Sequence, residues 1–91
     1  MIYSDNTYIL LLRVLQRYTG HTVGELAEQL GVSGAYVSMM IHGTRGITTP
    51  FKNKLVELSE HYLGKGSTEI ILLSLNVIDT HLKTKGAPDE N

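Results

Sequence analysis

Residues 22–42, TVGELAEQLGVSGAYVSMMIH, constrain the fold more than any other stretch of the chain. Val23, Leu26, Ala27 and Leu30 recur on one face of a short helix, and Val32, Val37, Met40 and Ile41 supply a turn and the inner face of a second. Thr22 and Glu25 form a capping box, in which the hydroxyl accepts from a backbone amide and the carboxylate reaches back to the cap. Gly31 suits the left-handed conformation that ends a helix, and Ser33 is placed to cap the next one. Ala27 is small where the second helix crosses the first. Two helices joined this way pack at a steep angle, with the second held outward.

The flanking segments read as helices too. Tyr8, Leu11, Leu12, Leu15 and Tyr18 have helical spacing over residues 6–18, with Asp5 or Asn6 as the expected cap, Arg13 and Arg17 on the polar face, and Gly20 as the stop. Residues 1–5 are expected to be an irregular arm. Thr49-Pro50 predicts a fourth helix capped by Thr49, with Pro50 at its first position. Phe51, Leu55, Leu58 and Tyr62 or Leu63 form its inner face, and Lys52, Lys54, Glu57 and Glu60 its outer one. Gly64-Lys65-Gly66 breaks the chain before a fifth helix over 69–82, capped by Ser67 or Thr68.

This last helix carries Ile70, Ile71, Leu72, Leu73, Leu75, Val77, Ile78 and Leu82, more than one buried stripe holds. One face packs on the first and fourth helices, and the surplus is read as a two-fold dimer interface formed by Ile70, Ile71, Leu73, Leu75, Val77 and Ile78. A deeply buried core helix, or a strand over 70–75, are the alternatives. The expected organisation is one domain over 1–83, with dimerisation through about 67–83 and a disordered tail over 84–91.

Leu26-Ala27, Leu30-Gly31-Val32, Val37-Ser38 and His42-Gly43-x-Arg45 resemble the Cro/CI-type (XRE-type) helix-turn-helix family of DNA-binding regulators, over residues 22–63. The resemblance implies an all-α, lambda-repressor-like five-helix domain whose second and third helices are the helix-turn-helix. It further implies binding of double-stranded DNA and repression of transcription, and the surplus apolar face of the last helix makes the expected regulator a homodimer. The positions matching the family's base-reading residues are Ser33, Gly34, Ala35, Tyr36, Ser38 and Met39. They depart from the family's usual pattern, because none is the Arg, Gln or Asn that reads a base bidentately. Tyr36 and Ser38 retain hydroxyls, Ala35 and Met39 offer apolar contact to thymine methyls, and Gly34 permits close backbone approach. Plainer roles stand beside these: Tyr36 packs sideways, Met39 fills a gap, Ser33 only caps. Phosphate contact is expected from Arg45, Lys52 and Lys54, with Thr22, Thr44, Thr48, Thr49 and Asn53 as further donors. Solvation of a helix face is the plain role of the two lysines.

The net charge of −1 and a pI near 6.4 exclude a generic basic nucleic-acid coat. Distribution matters more than the sum. No acidic residue occurs between Glu28 and Glu57, whereas His42, Arg45, Lys52 and Lys54 all lie there. Three cations per protomer would give a dimer ~6 phosphate contacts and a log–log salt slope of about −5. With no cysteine, disulfides and thiolate metal sites are ruled out, and His21, His42, His61 and His81 lack ligand spacing, so neither metal nor cofactor is expected. Gly64-Lys65-Gly66-Ser67 lacks the order of a phosphate loop, and no nucleophile, base and orienting acid can be placed together, so no enzyme is expected. Neither a signal peptide nor a membrane span is legible, and a cytoplasmic location follows as the expectation. The neutral charge and the cation-free third helix support a rival: a helix-turn-helix module, such as an antitoxin, antirepressor or adaptor, that binds a protein through its last helix.

Overall fold

The computed structural model describes residues 3–86, with side chains described through His81. It is all-helical: α1 (Asp5–Thr19), α2 (Val23–Leu30), α3 (Gly34–Ile41), α4 (Thr49–Leu63) and α5 (Lys65–Gly86), with no strand among the described residues. The core is a single cluster in which Leu11, Leu12 and Leu15 of α1 meet Leu26, Ala27 and Leu30 of α2, Val37 and Met40 of α3, Phe51 and Leu55 of α4, and Leu72 of α5. Each buried Leu, Val, Met or Phe of this cluster contributes roughly 1.5–3 kcal/mol. Helix α5 packs on α1 and α4, and α2 on α3 and α4. None of the described helices is long and apolar enough to cross a membrane.

The α2–α3 unit forms as its residues dictate. The Thr22 hydroxyl accepts from the Glu25 amide at 3.1 Å while a Glu25 carboxylate oxygen accepts from the Thr22 amide at 2.8 Å. That reciprocal bond holds the Glu25 carboxyl below its ordinary range. Gly31 sits at φ +77 and its amide bonds back to the end of α2, and the Ser33 hydroxyl caps α3 through the Tyr36 amide at 3.0 Å. Behind it, the Tyr62 hydroxyl donates to Gln29 at 2.6 Å, and Gln29 in turn reaches the His21 ring at 3.1 Å, tying α2 to α4.

Helix ends are where the structure departs from the sequence reading. Ser4, not Asp5 or Asn6, caps α1, because its hydroxyl reaches the Thr7 amide at 3.2 Å, and Asp5 already belongs to the helix. Thr48 rather than Thr49 caps α4, accepting from the Phe51 amide at 3.3 Å and moving Pro50 one position further in, where its missing amide is still harmless. Helix α5 starts at Lys65, earlier than either Ser67 or Thr68 allows, and continues to Gly86. Gly64 alone makes the break, with φ +91, and Thr68 lies inside the helix with its hydroxyl donating to the Gly64 carbonyl at 2.8 Å. Residues 84–86, expected in a disordered tail, are helical; Met1, Ile2 and 87–91 lie outside the described residues. Tyr18, counted on the inner face of α1, is exposed.

Helix α5 inverts the usual arrangement. Its inner stripe, Thr68, Leu72, Leu75, Asn76 and Asp79, is largely polar, and its outer stripe, Ile70, Leu73 and Val77 with Ile78, is apolar. The inner polar groups are satisfied at the start of α1: Ser4 and Asn6 each donate to the Asp79 carboxylate at 2.7 Å, and Thr7 donates to Asn76 at 3.3 Å. A carboxylate beside a helix N-terminus is favourably placed in the helix dipole. Further along, the buried Ser59 and Thr68 hydroxyls bond at 2.8 Å and join α4 to α5. The strand alternative for 70–75 therefore falls, and of the six residues assigned to a dimer surface, Ile71 and Leu75 turn partly into the core.

Candidate nucleic-acid interface

Helix α3 is held by Val37 and Met40, both buried, which turns Ser33, Ala35 and Met39 outward and leaves Gly34, Tyr36 and Ser38 half-buried at its flanks. A Cβ at Gly34 would lie 3.6 Å from the Gly24 Cα, so this glycine sits at the closest approach of α2 and α3 and faces its neighbour helix. Ser38 turns toward His42, whose Nδ1 lies 3.4 Å from its hydroxyl and 2.8 Å from its carbonyl oxygen. The side chains fully presented by α3 are thus small or apolar.

The loop after α3 is fixed at both ends. The Thr44 amide and hydroxyl both donate to the Met39 carbonyl, at 3.0 and 3.1 Å, so the hydroxyl expected to reach a phosphate spends its proton on capping α3. Beyond Gly46 the buried Ile47 donates its amide to the Asp5 carboxylate at 3.3 Å. Between these anchors Arg45 is exposed, and its guanidinium lies 5.3 Å from the centre of the Tyr36 ring. The ring meets buried Phe51 edge-on, with centroids 6.2 Å apart at 80°. No described carboxylate lies within ion-pair distance of Arg45 or Lys54.

Lys52 is different. Its ammonium pairs with Asp5 at 3.1 Å and lies 5.2 Å from the Tyr8 ring centre, and its side chain is only 18% exposed. This pairing, with the Ile47 amide, holds the Asp5 carboxyl below its ordinary value. Lys54, by contrast, points toward Gly31 and borders an open groove of about 390 Å³ that also carries Glu28, Glu57 and His61. Thr22 and Thr48 accept amide protons as caps, which leaves their own hydroxyl protons available to an anion, and exposed Thr49 and Asn53 lie in the first turns of α4.

The arrangement therefore brings together α3, Tyr36, Arg45 and the start of α4, and it removes Thr44 and Lys52 from the set of uncommitted donors. Asp5 is the residue that sequence reasoning missed: it sits 42 positions from Ile47, and no local pattern links them. Among the described residues no group of three or more His, Cys, Asp or Glu is placed to hold a metal ion. Comparison with protein-family models, with curated proteins and with solved structures gives no match for this chain.

Proposed function

We propose that this protein is a sequence-specific double-stranded DNA-binding regulator of the helix-turn-helix type, acting in the cytoplasm as a homodimer and repressing transcription by occupying an operator. The observation that carries the reading is the exposed start of α3 flanked by an anchored, carboxylate-free Arg45. In this reading α3 enters the major groove, and Ser33, Ala35 and Met39 meet base edges with modest direct readout. Arg45, Lys54 and the hydroxyls of Thr22, Thr48 and Thr49 fix the register on phosphates. The outer stripe of α5 joins two copies, so half-site centres would lie about 34 Å apart.

A second reading, a protein-interaction module, draws on the same α5 stripe and on the absence of any Arg, Lys, Asn or Gln from α3. Selection of duplexes from a random pool by the purified protein, followed by fluorescence anisotropy with Arg45→Ala alongside, separates the two. Enrichment of an inverted repeat, bound more weakly by the variant, is the expected result. No enrichment, with weak binding indifferent to Arg45→Ala, would favour the protein partner.

A further inference from the structure

We propose that Tyr36 serves as the aromatic platform that positions Arg45 for a DNA phosphate, its ring and not its hydroxyl carrying the role; this rests on the DNA-binding reading above. Arg45 stands in a loop bounded by Gly43, at φ +79, and Gly46, and a guanidinium on such a loop would ordinarily sample many rotamers. Here the backbone is pinned on one side by Thr44 to Met39 and on the other by Ile47 to Asp5, so only the side chain remains to be fixed. The Tyr36 ring, 5.3 Å from the guanidinium carbon, fixes it by cation–π attraction, and no described carboxylate competes for the charge.

The ring is itself held by edge-on contact with Phe51, a core residue at the start of α4. Core, platform and cation thus form one stack, ending in a charge that faces solvent beside α3. The Tyr36 hydroxyl has no hydrogen-bond partner among the described residues, so nothing in the fold depends on it. A guanidinium ordered in advance loses less freedom when it meets a phosphate. The fit is to an anionic oxygen approaching the first turn of α3, where Tyr36 stands.

The test pairs anisotropy on fluorescein-labelled duplex DNA of mixed sequence with NMR of the Arg45 δ-methylene protons, using Tyr36→Phe, Tyr36→Leu, Arg45→Ala and the Tyr36→Leu/Arg45→Ala double variant. Tyr36→Leu should weaken binding by about 2–10-fold per bound protomer, the cost of ordering one long side chain. Tyr36→Phe should bind like the parent, and Tyr36→Leu should add nothing once Arg45 is gone. The Arg45 protons should be shifted upfield by the ring in the parent and Tyr36→Phe, and unshifted in Tyr36→Leu. Should Tyr36→Leu not fold, Tyr36→Phe and the ring-current shift still decide. An equal loss from Tyr36→Leu in the Arg45→Ala background, a Tyr36→Phe loss matching that of Tyr36→Leu, or unshifted Arg45 protons in the parent would each overturn the platform alone. Failure of the parent to bind duplex, or a silent Arg45→Ala, would overturn the DNA reading and the platform's purpose with it.

Discussion

If the outer stripe of α5 joins two copies as proposed, Leu73→Glu should convert the dimer to monomer without unfolding it. Ile70, Leu73, Val77 and Ile78 are 68%, 51%, 59% and 49% exposed, so each has roughly half or more of its burial still to gain. Full burial of such a side chain stabilises by about 1.5–3 kcal/mol, leaving ~1–1.5 kcal/mol apiece, or ~8–12 kcal/mol for the eight side chains of a two-fold pair. Association costs an estimated 4–15 kcal/mol in lost rigid-body freedom, so the pair needs nearly all of its stripe. Replacing Leu73 removes its share twice and places a carboxylate against apolar surface in each protomer. The loss is at least ~3 kcal/mol, a rise in dimer dissociation constant of about 100-fold or more. Because Leu73 is half-exposed in the protomer and outside the buried core, helix content by circular dichroism and the melting temperature of the monomer should change little. Sedimentation velocity over a concentration series reads the result. A Leu73→Glu protein that sediments as its parent does, or a parent that stays monomeric at high micromolar concentration, would refute the assignment of this face to a second copy.

Asp5→Asn should remove the lowered carboxyl titration and release Lys52. Because the folded value lies below the ordinary 3.8, Asp5's contribution, under ~1 kcal/mol for so exposed a pair, is present above that pH and lost as pH falls through the folded value. Urea melts of parent and variant should differ above pH 4 and converge in stronger acid, and a gap that persists there would contradict the pairing. The same variant should steepen the salt slope of DNA binding by about 2 per dimer, one phosphate contact regained on each protomer. Gly31→Ala should cost ~1 kcal/mol, since φ is +77, whereas Gly34→Ala, with ordinary φ and its new Cβ at 3.6 Å from Gly24, should be near neutral; equal losses in urea melts would count against the conformational account. Thr68→Val should destabilise more than Ser59→Ala, because Thr68 serves both Ser59 and the Gly64 carbonyl; with ~1 kcal/mol per net hydrogen bond the reverse order in a thermal melt would be decisive against it.

How far the chain could be read in advance depended on whether a residue's partner was near in sequence. The capping box of Thr22 and Glu25, the left-handed Gly31 and the Ser33 cap are local chemistry, and all three stand as written in the residues. The core faces of α1, α2 and α4 were legible for the same reason, with Tyr18 an exception because helical spacing cannot tell the last inner position from the first outer one. The start of α5 was not legible. Ser67 and Thr68 are good caps in isolation, but Thr68 is drawn into the helix by Gly64 and by Ser59, and Ser59 lies on another helix. Nor could the pattern reveal that the inner stripe of α5 would be the polar one. Asp79 is buried and Asn76 half-buried because Ser4, Asn6 and Thr7 arrive from the other end of the chain to meet them.

Charge suffered most from folding. In sequence, the interval from Glu28 to Glu57 holds cations and no acid, and it suggests three free charges for phosphate. In space Asp5 enters that interval, pairs with Lys52 and binds the backbone of Ile47, so one of the three is neutralised. Should the proposed dimer bind DNA, Arg45 and Lys54 would give it ~4 contacts and a slope nearer −4 than −5, because counterion release follows the charge a phosphate actually meets. Asp5 gives something in exchange. By holding Ile47 it anchors the far side of the loop on which Arg45 stands, opposite the anchor made by Thr44. On the DNA-binding reading one acid would thus subtract from the long-range attraction while steadying Arg45, exchanging general affinity for backbone phosphate for a fixed register on it. On that reading, a surface without a bidentate base-reading side chain would depend on such a register, because shape and phosphate geometry must then supply what α3 alone does not.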